Sequence, residues 1–457
     1  MVFSSITFLF YFLPGFMLAY ALLPWPNAVL LIGSLLFYAW GDLARLPVLL
    51  LCILLNWGAG LAVGARTRGA LTVGVTGNLG LLIWFKYAGF IATQLGTAAT
   101  ALGLSPPPVP AVTLPLGISF FTFQGISYLV DISRGVVRAQ PSLFKFAMYK
   151  AMFPPLIAGP IVRYAVIADR VDRRSITVPA VASGIERFIL GLAQKVMLAN
   201  TIAAPVDQIF ALPADQLDPV TAWAGVFGYA LQIYFDFAGY SNMAIGLGRM
   251  LGFELPVNFD RPYAAQSVTA FWRRWHITLS TWFRDYVYIP LGGNRAGGLR
   301  TYVNLLTVFM LCGLWHGASW NFLVWGLYHG AFLTMERLGL GRLLGTVPAV
   351  FRHVYLVVVV TVGWVPFRAD SFPHAMRMLR GMAGLAGPLT AAAETPLTPG
   401  LGLVFLAGAV LSVWPRVLPV TLSIPSAARQ ATCLVLLVGS AASLAAGTYN
   451  PFIYFRF

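Results

Sequence analysis

Charged side chains are scarce in this sequence. They make up 10% of its 457 residues, and only 15 residues are Asp or Glu, whereas a soluble domain carries roughly 25% charged residues. Hydrophobic residues make up 58% of the chain, and its mean hydropathy is +0.77. A water-soluble core could not bury this much apolar surface. The composition therefore excludes a soluble enzyme and predicts an integral membrane protein.

Several motifs of soluble enzymes and pumps are also missing. The cysteines, Cys52, Cys312 and Cys433, lie in apolar runs and offer neither a disulfide framework nor metal-ligand spacing. No two histidines lie three or four residues apart, so no metal site is indicated. The absence of a Walker A loop and of a G-x-S-x-G elbow argues against ATP-driven transport and an α/β-hydrolase triad. The first apolar run lacks the features of a signal peptide, so we expect it to remain as a membrane anchor.

Long apolar runs recur along the chain. A helix needs about 20 apolar residues to cross the hydrocarbon core, and the sequence predicts an all-α polytopic protein with roughly 10 to 12 membrane helices plus re-entrant or interfacial helices. Representative runs are Ile6 to Leu23, Leu46 to Gly64, Leu71 to Trp84, Val220 to Ile233, Val354 to Val365, Leu401 to Val413 and Ala431 to Ala445. We expect a single membrane domain over residues 1–457, with peripheral helices in 1–104, a catalytic core in 114–330, and C-terminal helices and an aromatic tail in 331–457.

The positive charge predicts topology. The net charge is +15, and 26 of the 30 basic residues are Arg. In a soluble protein this would suggest nucleic-acid binding, but in a membrane protein basic loops face the cytoplasm, and we expect no nucleic-acid partner. The predicted cytoplasmic clusters are 134–150, 163–174 and 261–300, which also suit a polyanionic ligand such as coenzyme A. The predicted non-cytoplasmic loops, in stretches without basic residues, are 105–110, 207–218 and 390–399.

The stretch 258–294 mixes Trp and Arg. Its aromatic and apolar residues recur at helical spacing, with Arg273, Arg274 and Arg284 between them. This pattern predicts one interfacial or re-entrant helix with Trp at headgroup depth and Arg reaching towards water. A turn is predicted at 290–294. His276 lies within the stretch, and interfacial packing is the alternative to a functional role.

His316 lies in an apolar stretch, 311–330, with Asn321 and His329 further along the same predicted helix. The thirteen residues between the histidines correspond to about 19 Å along that helix, so we expect His329 to be a buried hydrogen-bonding residue. An ionisable side chain within a membrane segment is a functional hypothesis by default. A neutral imidazole can take the proton of an attacking hydroxyl. His316 and His276 are therefore the candidate catalytic bases, with core packing as the alternative for His316.

Other polar residues in apolar surroundings complete the candidate site. We predict that they line a substrate path or tunnel, and they are Asp236, Tyr240, Ser241, Arg273, Arg274, Trp315 and Asn321. The chain ends in an aromatic tail, 450–457, which is typical of an interfacial anchor. Its Tyr454 is also a hydroxyl nucleophile that could carry an acyl group as an ester.

Five motifs and the opening of the chain together resemble one family. The motifs are PLGISFFTF (115–123), FPPLIAGP (153–160), YFDFAGYS (234–241), FWRRWH (271–276) and LWHG (314–317). They are similar to those of the membrane-bound O-acyltransferase superfamily, most closely to its bacterial branch that acetylates alginate and D-alanylates teichoic acid. The resemblance covers almost the whole chain.

The resemblance implies a ring of helices around a central funnel or tunnel, with the acyl donor entering from the cytoplasm and the acceptor from the other side. It implies that His316 is the catalytic residue, that His276 is also needed, and that Tyr454 accepts the acyl group. It further implies acetyl-CoA as donor substrate with no bound cofactor, a polysaccharide acceptor, and an SGNH-hydrolase-like extracytoplasmic acetyltransferase as partner. We expect the protein to lie in the bacterial inner membrane, in contact with its lipids. There are two alternatives. One is transfer of D-alanyl or another acyl group from a carrier protein, and the other is a non-enzymatic transporter or scaffold role in polysaccharide export.

Overall fold

The computed structural model describes residues 1–295, 297–386, 397–413, 426–447, 449–451 and 453. Tyr454 and most of the predicted loop 390–399 lie outside these residues. Within them the protein is helical and contains no strand, which confirms the predicted all-α class. The chain forms two compact units, one of residues 1–188 with 243–256 and the other of 189–242 with 257–457. The subdivision predicted from the sequence stays a prediction.

The first unit is built from short and medium helices. They are α1 (Leu13–Leu22), α2 (Pro26–Asp42), α3 (Leu46–Gly64), α4 (Ala70–Leu82), α5 (Ala88–Ala101), α6 (Ile118–Ser133), α7 (Leu143–Ala151), α8 (Phe153–Leu156) and α9 (Tyr164–Asp172). Two longer helices, α10 (Val178–Ala193) and α12 (Pro219–Met250), run through the unit boundaries. Inside the unit, the amides of Asn56 and Asn78 bond each other reciprocally at 2.9 and 3.0 Å, so α3 and α4 are joined without leaving a buried amide unsatisfied.

The second unit carries the candidate site. Its helices are α11 (Asn200–Ala211), α13 (Val268–Trp272), α14 (Ile277–Phe283), α15 (Gly298–His316), α16 (Trp320–Met335), α17 (Gly341–Thr346), α18 (Ala349–Arg368), α19 (Phe372–Met382), α20 (Pro399–Val413) and α21 (Ser426–Ala445). Helix α16 packs against both α15 and α18, and Trp325 of α16 and Phe367 of α18 contact the ring of His316 at the end of α15.

Six helical stretches among the described residues are long and apolar enough to cross a membrane. They are Pro26–Gly64, Ala70–Ala101, Val178–Ala211, Gly298–His316, Ala349–Arg368 and Ser426–Ala445. Two shorter apolar stretches are Phe8–Leu22 and Pro399–Val413. The chain is therefore a polytopic membrane protein, as predicted. The number of crossings, 10 to 12 from the sequence, stays a prediction, because the first stretch alone contains both α2 and α3.

Several helices are extended by a wide π-helical turn. Within the described residues these turns are Phe8–Phe12, Ile83–Tyr87, Gln194–Ala199, Arg284–Tyr288 and Glu336–Leu340. In the turn Gln194–Ala199 the N–H of Asn200 donates to the carbonyl of Lys195, which is the i→i+5 bond of a π-turn. Such turns are rare and are found mostly as single insertions in α-helices.

The prediction that one helix contains both His316 and His329 is wrong. Helix α15 ends at His316, Gly317 is extended with φ −166°, and Ser319, in a β conformation, precedes α16. The two histidines therefore lie on different helices, and the separation of about 19 Å along one axis does not apply. A Gly-Ala-Ser sequence before an apolar run is a helix stop and start signal, and it interrupts an otherwise continuous apolar pattern here.

The prediction that 258–294 forms one helix is also wrong. The stretch forms α13 and α14, which are separated by a turn in which His276 adopts φ 42°. Its tryptophans are buried in the protein, since Trp275 is 3% and Trp282 is 4% exposed. The predicted turn at 290–294 is confirmed.

Helix α13 is fixed at its N-terminus by Glu336. This carboxylate accepts the N–H groups of Val268 at 2.6 Å and of Thr269 at 2.9 Å, as well as the Thr269 hydroxyl at 2.6 Å and the Tyr355 hydroxyl at 3.1 Å. An anion at a helix N-terminus satisfies N–H groups that have no partner within the helix. Glu336 thus orients the segment that leads to His276.

Candidate active site

His316 is buried among aromatic side chains at the C-terminal end of α15. It is 5% exposed, so it does not face lipid. Its ring lies edge-on to Trp315, Trp325 and Phe367, with ring centroids 4.9, 5.1 and 5.1 Å away. Beside it is a cavity of about 10 Å³, which is close to the smallest space that holds one water molecule. The imidazole is therefore screened from bulk water.

His276 is held by Asn258. Its Nδ1 lies 3.1 Å from Asn258 Oδ1, and the same oxygen accepts the hydroxyl of Thr278 at 2.9 Å and its N–H at 3.3 Å. Because an amide oxygen only accepts, Nδ1 of His276 carries the proton and Nε2 has a free lone pair. Nε2 is buried without a hydrogen-bond partner among the described residues. Burial lowers the pKa of His276 to about 3, so the ring is neutral near pH 7.

Trp315 lies between the two histidines. Its ring is edge-on to His276 at 5.9 Å and to His316 at 4.9 Å. Phe237 contacts His276 at 4.7 Å and also lines the cavity beside His316. The structure thus brings both candidate bases to one aromatic cluster, although they lie on separate helical segments.

A pocket of about 280 Å³ opens on the other side of Phe367. We call it the Arg368 pocket. Its polar lining includes Asp207, Gln232, Arg368 and Asp370, and Arg368 pairs with Asp207 at 2.5 Å. Phe367 lines both this pocket and the cavity at His316. One phenyl ring therefore stands between His316 and the larger space.

A second pocket, of about 540 Å³, is rich in arginine. We call it the Arg273 pocket. It is lined by Arg273, Arg337 and Arg352 together with Glu336, whose carboxylate is already occupied at α13. The cationic side chains therefore dominate the charge that a ligand would meet here.

The two pockets lie at opposite ends of the same helices. On α18, Arg352 lines the Arg273 pocket and Arg368 lines the Arg368 pocket. These two residues are about 24 Å apart along the helix axis. On α16, Leu333 and Phe322 mark the same two ends, about 16 Å apart. The His316 cluster lies near the Arg368 end of these helices.

Several buried polar atoms between the pockets lack a protein partner. Within the described residues they are Nε1 of Trp272, Nε1 of Trp325, both ring nitrogens of His329, and Nε2 of His276. Trp272 contacts Trp325 at 5.5 Å and His329 at 5.0 Å. The prediction that His329 is buried is confirmed, and its predicted hydrogen bonds have no partner among the described residues. Buried polar atoms are rarely left unsatisfied, so this cluster requires an explanation.

The remaining predicted site residues divide into two groups. Tyr240 is buried and Arg274 half-buried, and neither lines the pockets described above. Ser241 accepts the side-chain amide of Asn258 at 3.2 Å, and Asn321 donates to the carbonyl of Ala369 at 2.8 Å, so both have structural partners.

Asp236 is engaged in a buried ion pair, and its place along a substrate path stays a prediction. It forms an ion pair of 2.7 Å with Lys195, and both side chains are at most 3% exposed. Sequence reasoning missed Lys195, Asn258 and Glu336. Each lies far along the chain from the group that it binds, and no local spacing signals such a contact.

Comparison with known proteins decides the family. The model of the membrane-bound O-acyltransferase family matches residues 116–361. The chain is 40% identical to "Probable alginate O-acetylase AlgI" of Azotobacter vinelandii over the full length of both proteins. It is 34% identical to the peptidoglycan O-acetyltransferase of Helicobacter pylori over 85% of this chain and 80% of that one. The teichoic acid D-alanyltransferase of Bacillus subtilis is 30% identical over 48% of this chain and 58% of its own length.

The chain belongs to the membrane-bound O-acyltransferase family. It is thus an O-acyltransferase embedded in a membrane, and the resemblance read from its motifs is confirmed. Membership of this family favours the enzyme over the transporter and scaffold alternatives. The roles of His316, His276 and Tyr454 stay predictions.

Proposed function

We propose that this membrane-bound O-acyltransferase takes an acetyl group from acetyl-CoA at the cytoplasmic face of the bacterial inner membrane and delivers it for O-acetylation of an extracytoplasmic polysaccharide such as alginate. The relatives named for alginate and peptidoglycan acetylation support acetyl transfer to a cell-envelope polymer. The observation that carries the proposal is the buried His316 between two pockets at opposite ends of α16 and α18.

The Arg273 pocket is the proposed donor site. Its three arginines suit the phosphate groups of coenzyme A, because guanidinium groups bind phosphate in a bidentate manner. Arg273 belongs to the basic cluster 261–300, which the charge distribution predicts to face the cytoplasm. The Arg368 pocket includes Asp207, which belongs to the loop predicted on the other side. Charge and predicted topology thus agree on the direction of transfer.

The unpartnered polar atoms mark the proposed path of the donor. Trp272, Trp325 and His329 lie between the Arg273 pocket and His316, and their free nitrogens would pair with the amide groups of a long acyl-thioester arm. The cavity at His316 holds about one water molecule, so these side chains must move apart when the donor enters. Exclusion of water from this path protects the thioester from hydrolysis.

His316 is the proposed general base. It takes the proton of an acceptor hydroxyl as the hydroxyl oxygen attacks the thioester carbonyl. The new C–O bond forms, the C–S bond breaks, and the leaving thiolate takes up the proton, so that free CoA thiol and an ester result. His276, neutral and with Nε2 available, orients the donor or assists the proton transfer.

Tyr454 is the proposed first acceptor. Its phenol would carry the acetyl group as an ester to the Arg368 side, where an SGNH-hydrolase-like partner would move it to the polysaccharide. The described residues just before it, Pro451 and Ile453, line the Arg368 pocket. The described end of the chain thus lies at the proposed acceptor side of the site, which supports the proposal.

The test uses protein purified in lipid vesicles with acetyl-CoA labelled in its acetyl group. We expect the wild type to release thiol and gain acetyl on Tyr454, and His316→Ala to lose this activity by roughly 100-fold or more, the usual contribution of a general base. His353→Asn is the matched control, since its Nδ1 binds the carbonyl of Ala265 and neither residue lines a pocket. A correctly inserted His316→Ala protein with wild-type activity would overturn the mechanism. Labelling from a D-alanyl carrier protein instead of acetyl-CoA would favour the alternative donor.

A further inference from the structure

The buried ion pair of Lys195 and Asp236 plays no part in the chemistry proposed above. Nζ of Lys195 lies 2.7 Å from Oδ1 of Asp236, and the side chains are 3% and 2% exposed. The removal of two charges from water is costly, and an apolar pair of similar volume often serves stability as well. Stability alone is therefore a weak explanation for this pair.

Both partners bind the backbone near the end of the chain. Lys195 Nζ donates to the carbonyl oxygen of Pro451, and Asp236 Oδ2 accepts the N–H of Ile453 at 2.9 Å. These are charge-assisted hydrogen bonds, roughly twice as strong as neutral ones. The cation meets a carbonyl and the anion meets an N–H, so the polarity of the pair matches that of the backbone it holds.

Two neighbouring side chains bind the same C-terminal segment, residues 449–451 and 453. Asn200 donates to the side-chain oxygen of Asn450 at 3.0 Å. The hydroxyl of Tyr449 donates to Asp207 at 2.8 Å, and the other oxygen of Asp207 pairs with Arg368 at 2.5 Å. The C-terminal segment is thereby joined to the lining of the Arg368 pocket and forms part of its wall.

We propose that Lys195 and Asp236 are positioning residues that clamp the C-terminal segment against the Arg368 pocket and so set the place from which Tyr454 takes part in transfer. The consequence for acyl transfer rests on the proposed function. The clamp itself is a claim about hydrogen bonds, and it can be measured without any activity.

Two paired variants separate the clamp from the ion pair. Lys195→Met with Asp236→Leu removes both charges and keeps apolar volume in their place, so that no buried charge is left unpaired. Lys195→Asp with Asp236→Lys keeps an ion pair and reverses its polarity. In the second variant the ammonium cannot accept the N–H of Ile453, and the carboxylate cannot donate to the carbonyl of Pro451.

Amide hydrogen exchange of the peptide that contains Ile453 reports the clamp directly. We expect exchange there to rise at least about tenfold in both paired variants, with unchanged exchange in peptides of α15 and α16. Acetylation of Tyr454 from acetyl-CoA should fall about tenfold or more. Wild-type exchange in either variant overturns the proposal, and so does an equal rise throughout the second unit, which would show a general loss of folding.

Two further variants complete the test. Ile453→Pro removes the N–H that binds Asp236 and leaves both charges in place, so it tests the clamp even if the paired variants do not fold. Lys145→Met with Asp172→Leu removes an exposed ion pair of 2.5 Å in the first unit and should match the wild type. If exchange responds as expected while the wild type never acquires acetyl on Tyr454, the clamp stands and the relay fails.

Discussion

Phe367 offers a direct test of how the site excludes water. Its phenyl ring, 4% exposed, lines both the cavity of about 10 Å³ at His316 and the Arg368 pocket of about 280 Å³. Phe367→Ala should join the two spaces and admit water to the base. Since one water occupies about 30 Å³ in the liquid, the joined space holds several.

The expected cost in stability follows from the contacts of this ring. Phe367 packs against Trp325 at 4.9 Å, Phe322 at 5.1 Å, His316 at 5.1 Å and Trp364 at 5.3 Å. Truncation of a buried Phe to Ala costs about 3–5 kcal/mol. We expect about 3 kcal/mol, because water from the adjoining pocket can fill part of the void. The variant should therefore still fold.

The assay is the release of thiol from acetyl-CoA in the absence of a polysaccharide acceptor. We expect Phe367→Ala to raise steady-state release on the order of tenfold, which corresponds to a barrier about 1.4 kcal/mol lower. Phe367→Leu retains most of the bulk and should stay near the wild type. Phe332→Ala on α16 is the matched control, since Phe332 contacts Tyr328 and Tyr355 and lines none of the three spaces.

A folded Phe367→Ala protein with wild-type thiol release would refute this reasoning. It would mean either that another side chain closes the site or that the acceptor does not approach His316 from the Arg368 pocket. Loss of release without loss of folding would instead show that the ring helps to hold the thioester.

Three further predictions follow from hydrogen bonds and burial. Asn258→Ala should slow transfer by about tenfold or more, because the Nδ1–H tautomer of His276 loses its acceptor, and Asn258→Asp, which still accepts, should retain more activity in the same assay. Glu336→Gln should lower the free energy of unfolding by about 1.5–3 kcal/mol, the usual contribution of hydrogen bonds to a charged group. Thermal unfolding in detergent measures this change, and an unchanged stability would mean that other contacts hold α13. The lowered pKa of His276, about 3 against an ordinary value of about 6.5, means that the unfolded chain binds the proton more readily between these values. The stabilisation from the neutral ring is therefore complete above about pH 6.5 and is lost towards pH 3, by at most about 1.4 kcal/mol per pH unit. The melting temperature of the wild type should therefore fall more on acidification than that of His276→Asn.

The membrane helices were predictable because hydropathy acts locally. The run Leu46 to Gly64 corresponds to α3 residue for residue, and the apolar runs near the C-terminus lie within α18, α20 and α21. A span must be apolar over about 20 consecutive residues, and composition alone reveals that. Breaks inside apolar sequence are harder to see, since Gly317 to Ser319 and the turn at His276 interrupt helices whose hydrophobic pattern continues across them.

The candidate site was predictable only in part. His316 and His276 stood out because a histidine is costly in an apolar segment. Asn258 and Lys195 did not stand out, because they act through contacts with His276 and Asp236 that only the fold creates. That Asp236 lines a path stays a prediction, and the fold adds what the sequence did not show: its carboxylate is engaged by Lys195 and by the backbone N–H of Ile453.

The π-turn Gln194–Ala199 makes the length of this helix as important as its composition. Lys195 and Asn200 are five residues apart, and in a regular α-helix they would point about 140° away from each other. The wide turn, in which the N–H of Asn200 reaches the carbonyl of Lys195, brings them to one side. Deletion of a single residue there would restore regular winding and turn one of the two away from residues 450 and 451. Homologous proteins should therefore tolerate substitutions in this turn more readily than a change of register.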